Sequence, residues 1–463
     1  MDSVIWNIRR GIKVRPRFVL SVVISATAIL LMVSCNSGDL PGRKQLESEQ
    51  VQASPNAPVV SSKVAEKLPE AAVSPLTVKQ RLEDFDYMWK IIEENYPFLE
   101  VNKRLNGVDW LANKEEHCNE IAATKTDDEF LTRMGFVLSQ LNNGHTHFIS
   151  KEDYPWFLKS YVRAGVGFEP WVNVLQQPNV LARYNQKSLA EQQSVNENNN
   201  TGNSGEVGSQ SGVTSGNVKK VIIEPNQIVY LGMRSFNGSL MEMDSSEIHD
   251  FLVEVKDYKT LILDIRGNGG GNSDYWSMNI VPLLINKPIT YNTYDLYRGG
   301  EYVEAFMQSR RLTEGLQPIA NLKDEQLPNI PPEALTMFKN YNKNVDNVTP
   351  NQSVGFRGKI YLLVDRSVYS SAEGFAAFAK GTGFATVVGG RTGGDGLGTD
   401  PLLAALPNSG YVFRFSLQLG LNSDGSCNEE VKTVPDLEVD PDSSKPLLDQ
   451  PAVQKVLQLA KSH

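Results

Sequence analysis

The chain has 463 residues, with 45 Lys+Arg against 54 Asp+Glu and a net charge of −9. Hydrophobic residues make up 40% and charged residues 21%, an ordinary globular composition that excludes a collagenous, coiled-coil or wholly disordered chain. The length suits about two or three domains, and the acidic balance argues against a nucleic-acid binder, which would present a basic face.

The N-terminus is the first distinct segment. Arg9, Arg10, Lys13, Arg15 and Arg17 face a lone acid, Asp2, and an apolar run over 18–32 follows. Small residues then lead to Cys35. A basic stretch, an apolar stretch and small residues describe a secretory signal over 1–34. The apolar run falls short of the roughly 20 residues a membrane span needs, although a plain anchor is the competing reading. The Cys directly after Met-Val-Ser resembles the lipobox of a bacterial lipoprotein. That resemblance implies cleavage before Cys35, lipidation of its sulfur and a location in the cell envelope, periplasmic or surface. Cys118 and Cys427 then remain. They could pair in an oxidising periplasm or stay as two buried thiols.

Residues 35–75 are polar and rich in Pro, Ser, Glu and Gln, the composition of a flexible tether. Residues 76–150 read as a helical subdomain. Phe85, Met88, Trp89 and Ile92 fall on one face at three/four spacing, and Thr126 with Glu129 supplies a cap signal. Residues 151–218 read as a connecting segment, and its stretch 186–217 is a low-complexity Gln/Asn/Ser/Gly insert. From 219 to 463 the pattern is α/β. Strands are predicted at VIIEP, IVYLGM, 260–265, 359–365, 385–390 and 411–419. Helices are predicted from Ser245 through Val255, from Asp274 onward, from Ser371 to Lys380 and from Pro451 to Ser462. Residues 286–350 are too long for a plain loop and are expected to form a cap.

Four places carry candidate chemistry. Asp264-Ile265-Arg266-Gly267-Asn268-Gly269-Gly270-Gly271 follows a buried strand. Its glycines let backbone N–H groups approach a ligand, as in an oxyanion hole; the spacing fits neither a dinucleotide fingerprint nor a P-loop. Ser370 and Ser371, with Glu373, open a helix after another strand. That placement exposes a hydroxyl where the helix dipole favours negative charge, although on local pattern alone a capping box is the better reading. Gly144-His145-Thr146-His147 suits a general base or a pair of metal ligands, with no third ligand in view. Glu429 and Glu430 precede Val434-Pro435-Asp436 and alone read as a charged loop.

Together these segments resemble the tail-specific, or C-terminal processing, serine peptidases. The similarity is to the histidine-bearing branch, which includes the tricorn core and the interphotoreceptor retinoid-binding modules. DIRGNGGG resembles the family's D-x-R-x-N-x-G-G, SSAEGFAAFAK its S-A-x-E helix start, and VGGRTGG its V-G-x-x-T-x-G-G. LNNGHTHF resembles L-x-D-G-H-T, and VPDLEV the late P-D-x-x-V. The resemblance spans about 80–460. It implies an α/β fold with a ClpP/crotonase-like peptidase core behind an N-terminal helical subdomain. It implies Ser370 as nucleophile, His145 as base, the N–H of Ser371 with that of Gly269 or Gly270 as oxyanion hole, and Glu429 as the completing acid with Glu430 a rival. It implies protein or peptide substrates, with no cofactor and no metal. A non-catalytic binding protein on the same fold is the alternative. Two departures stand out. Asp395 occupies the place of the Lys used by the Ser–Lys branch, and Asn143 replaces the usual Asp before Gly-His. The stretch 163–217 is also too short for a complete PDZ domain once its insert is removed.

Overall fold

The computed structural model describes residues 75–192 and 216–461. The signal, Cys35, the tether and most of the low-complexity insert lie outside the described residues. In chain order the strands are β1 (His147–Phe148), β2 (Val218–Glu224), β3 (Ile228–Met233), β4 (Thr260–Asp264), β5 (Ile289–Tyr297), β6 (Gln317–Pro318) and β7 (Asn340–Val348). They continue as β8 (Lys359–Val364), β9 (Thr386–Gly389), β10 (Leu402–Ala405), β11 (Val412–Phe415), β12 (Gln418–Leu421) and β13 (Leu437–Glu438).

The central sheet has the order β13-β9-β8-β4-β3-β2. Its strands from β13 to β3 run parallel and β2 closes one edge antiparallel. β4 is buried along its whole length, as expected of a parallel strand covered on both faces. One face packs on the helices Met241–Glu254 and Ser371–Thr382 through Ile248, Phe251, Phe375 and Phe378. The other is covered by the helix Pro451–Lys461 through Ala452, Val453 and Val456. Each such buried aliphatic or aromatic side chain contributes on the order of 1.5–3 kcal/mol. The fold is thus α/β, with connecting helices that return the chain to parallel strands.

The N-terminal helices form as the sequence predicts. Val78–Asn95 is capped by Thr77 and Gln80 in a reciprocal box and buries Phe85, Met88, Trp89 and Ile92. Trp89 stacks on Trp110 at 3.7 Å. Thr126 caps Asp127–Ser139 by accepting from the Glu129 N–H. The segment 151–185 folds as three helices, Tyr154–Ala164, Glu169–Leu175 and Pro178–Tyr184, whose aromatic side chains join the same core.

The insertion at 286–350 is built on the antiparallel pair β5–β7, which extends the sheet β12-β5-β7-β6. Tyr294, Leu296, Phe306, Phe338 and Tyr341 share one apolar core with the N-terminal helices. It is therefore a packed wall of the molecule. Two further differences from the sequence reading have local causes. The strand expected over 411–419 divides into β11 and β12, which enter different sheets. The helix expected from Asp274 divides into Asp274–Ser277 and Val281–Leu284. Pro282 opens the second piece, where its missing N–H costs nothing.

Candidate active site

Three neighbouring parallel strands deliver their following loops to one edge of the sheet, the edge where α/β sheets place ligands. β4 leads into 265–271, β8 into 365–370 and β9 into 390–396. Asp365 joins the first two loops, because its Oδ1 accepts from the N–H of Gly267 at 3.1 Å and of Ser367 at 2.9 Å. Asn268 is fully buried. Its carbonyl accepts from the Tyr369 N–H at 3.3 Å, and its side chain donates to Met233 O at 3.2 Å.

Ser370 sits at the tight turn into the helix Ser371–Thr382, with φ 56° and ψ −130°. A non-glycine residue held there carries on the order of 1–3 kcal/mol of strain, which accumulates at functional sites. The same sharp strand-to-helix geometry lifts a nucleophilic serine above a sheet in other hydrolases. Gly270 lies directly against this turn. A Cβ on Gly270 would stand 2.7 Å from Tyr369 O and 2.8 Å from Ser370 Cβ, and its φ is +98°. The neighbouring Ser371 is buried, with an Oγ that has no hydrogen-bond partner among the described residues. Ser370 is the more accessible of the two hydroxyls.

The Gly270 N–H donates to Asn268 Oδ1 at 2.9 Å. Among the described residues, the N–H groups of Gly269 and Ser371 have no hydrogen-bond partner. Gly269 and Ser371 are the pair left free to receive an oxyanion.

His145 comes from the turn between the helix Asp127–Ser139 and β1, and β1 is held by pairing with β11. Its Nδ1 donates to Asp395 Oδ2 at 2.8 Å. Its Nε2 has no partner among the described residues. The same carboxylate oxygen accepts from Asn143 Nδ2 and Ser416 Oγ, each at 2.8 Å. Burial opposes the charge on Asp395. The adjacent His145 and the donors Asn143 and Ser416 outweigh it and hold the carboxyl below the usual carboxylate range. The Tyr369 ring lies against the imidazole with centroids 4.8 Å apart. Its hydroxyl accepts from the Gly144 N–H at 3.1 Å. Asn143 Oδ1 accepts from the His145 N–H at 3.0 Å and from Thr146 Oγ1 at 2.9 Å. The His145 turn is thus locked to the Ser370 turn.

Glu429 is buried one step below this pair. Its Oε1 accepts from Asn143 Nδ2 at 3.4 Å, and its Oε2 has no partner among the described residues. Burial, reinforced by the negative charge of Asp395, pushes its carboxyl up to about 8. It makes no hydrogen bond to His145. The rival Glu430 is turned away and accepts from Arg104, which also forks onto Glu333 at 2.8 and 2.9 Å. The carboxylate in contact with the imidazole is therefore Asp395, whereas the resemblance implies Glu429 as the acid that completes the charge network. The signal was present in an aspartate flanked by glycines after a parallel strand, but no local pattern says that it meets a histidine 250 positions earlier. Glu373 is fully buried beneath Ser370, accepts from Asn428 and Thr433, and is pushed by burial up to about 7.

Other sequence candidates fall elsewhere. Lys380 pairs with Asp436, ten residues along the helix from Ser370, so it stands about 15 Å up the axis. His147 is exposed and donates from Nδ1 to Phe148 O at 2.9 Å. Among the described residues, no group of three or more His, Cys, Asp or Glu could hold a metal ion. Cys427 is a buried free thiol, so the pairing with Cys118 is not formed.

Residues 227–439 match peptidase family S41. No curated protein matches the chain. A crystal structure of a candidate peptidase from Parabacteroides merdae is similar over 82% of this chain and 96% of that one, at 20% identity and a TM-score of 0.51. Mature CPAF covers 78% of this chain and 92% of its own at 12% identity, with a TM-score of 0.49. The photosystem II D1 C-terminal processing protease covers 82% and 98% at 14% identity, with a TM-score of 0.39. The match to peptidase family S41 lies over the segment 227–439, and the chain is a serine peptidase.

Proposed function

We propose that the chain is an endopeptidase in which Ser370, His145 and Asp395 act as nucleophile, base and orienting acid. The observation that carries this reading is the joining of the strained Ser370 turn to the His145–Asp395 pair by loops from adjacent strands. A serine hydroxyl is a weak nucleophile at neutral pH and needs a base. The Asp395 carboxylate fixes the proton on Nδ1 of His145, which leaves Nε2 as the basic atom. As Ser370 Oγ attacks the peptide carbonyl, its proton passes to Nε2. The C=O pair moves onto oxygen, where the N–H groups of Gly269 and Ser371 receive the charge. Each such donor is worth about 3 kcal/mol in the transition state. Nε2 then protonates the leaving amine, the C–N bond breaks, and water hydrolyses the acyl-serine by the same steps in reverse roles.

Glu429 is read as a neutral acid beneath the pair. Two carboxyls around one asparagine cannot both ionise cheaply, so protonated Glu429 leaves the full negative charge to Asp395. We also propose display in the cell envelope, tethered through lipid on Cys35. The support is the signal-like segment 1–34 and the tether composition of 35–75. Digestion of a diverse peptide library, read by mass spectrometry beside Ser370→Ala, tests the activity. Cleavage lost in the variant supports the reading, and equal cleavage by both sinks it. Metabolic labelling with a fatty acid, lost in Cys35→Ala, tests the anchor.

A further inference from the structure

Arg414 stands out because it is a half-buried cation without an anion. Its Nε is buried with no hydrogen-bond partner, and no carboxylate lies within ion-pair distance among the described residues. The guanidinium lies 5.1 Å over the ring of Phe157, on the helix Tyr154–Ala164, and such stacking holds a cation in a fixed orientation. Acids in its neighbourhood are engaged elsewhere. Asp400 pairs with Arg310 at 3.8 Å, and Asp153 accepts from Ser150.

Its place in the fold points at the reacting groups. Arg414 is directly opposite His147 in the β1–β11 pair, so the two side chains share a face. His145 lies two residues before His147. Ser416 lies two residues after Arg414. Both His145 and Ser416 reach the same oxygen of Asp395, each at 2.8 Å. Arg414 therefore stands two residues from Ser416 and directly across the pair from a residue two beyond His145, which places it beside the catalytic pair. At about 3.3 Å per residue, that separation corresponds to roughly two residues of an extended substrate.

We propose that Arg414 is the anion-binding element of a substrate subsite and selects peptides that carry a carboxylate within about two or three residues of the scissile bond. The carboxylate is either an Asp or Glu side chain or a free C-terminal group; a planar fork suits both equally. This rests on Ser370 and His145 as the reacting pair, so the test reads binding rather than turnover. The Ser370→Ala chain is immobilised and challenged with short-peptide libraries made in pairs, C-terminal acid against amide and internal Glu against Gln, and retained peptides are counted by mass spectrometry. Retention is expected to favour the carboxylate member by about tenfold or more in one pair type, and that pair type identifies the source. The preference should fall to parity in Arg414→Gln and invert in Arg414→Glu, with Arg414→Lys restoring part of it. An equal preference in all four chains, or none with Arg414 present, overturns the subsite. A wild-type chain that fails to cleave the libraries, while Arg414-dependent retention persists, overturns the peptidase reading and supports the subsite.

Discussion

Asp395 and Glu429 divide one task by environment. Both are buried within reach of Asn143, yet His145 and the donors Asn143 and Ser416 hold Asp395 ionised, while Glu429 faces burial and a like charge. Asp395→Asn should keep the fold and lower kcat by a factor on the order of 10³–10⁴, because the imidazole would then lose its fixed tautomer. Glu429→Gln, which keeps the shape of a neutral acid, should change kcat by less than about tenfold. Steady-state kinetics on one cleaved peptide compares the two, and a larger loss in Glu429→Gln would restore Glu429 as the acid. Stability should respond to pH as well. Glu429 and Glu373 have folded values raised to about 8 and about 7 from an ordinary 4.5. The folded chain therefore holds protons that the unfolded chain releases, and their contribution is full below about 4.5 and is lost as pH rises to about 8. Asp395, held low, works in the opposite sense and only in acid. Melting temperature should fall between pH 5 and 8 in the wild type and flatten in the Glu429→Gln/Glu373→Gln variant; parallel curves would contradict this.

At the scale of elements, the site depends on loops that touch. Gly270→Ala places a methyl group within 2.8 Å of the Ser370 turn and imposes a disfavoured φ. It should abolish turnover and cost more than about 1 kcal/mol of stability, measured by denaturant unfolding beside the activity. Arg104 connects the helix Leu99–Asn106 to Glu333 of the insertion and Glu430 of the site. Arg104→Ala leaves the buried Glu333 unpaired and should cost about 3 kcal/mol or more, whereas Glu430→Ala, at an exposed end of the same network, should cost under about 1 kcal/mol. These elements show what was legible beforehand. Thr126 and Phe85 announced their helices because capping and three/four periodicity act locally. DIRGNGGG and the Ser370 turn announced the loops because glycine runs after buried strands have few other uses. The division of 411–419 between two sheets was invisible, since both halves are apolar and only their different partners separate them. The Asp395–His145 contact joins residues 250 positions apart, which no local pattern connects.

On the scale of the whole molecule, the proposed base and the proposed nucleophile come from different layers. His145 belongs to the helical layer, whose apolar core also holds the insertion and the strands β10 to β12. Ser370, Gly269 and the N–H of Ser371 belong to loops of the central sheet. The reacting geometry therefore requires both layers to be folded on each other, through Tyr369, Asn143 and Ser416. Activation of the Ser370 hydroxyl by the His145–Asp395 pair can be tested without knowing a substrate. The most direct measurement is the rate of covalent modification by a fluorophosphonate, followed by intact mass and peptide mapping. A single adduct on Ser370 is expected, absent in Ser370→Ala and slowed by about 10³-fold or more in both His145→Ala and Asp395→Asn. Labelling that persists in Ser370→Ala, or that proceeds at the wild-type rate in Asp395→Asn, would contradict it.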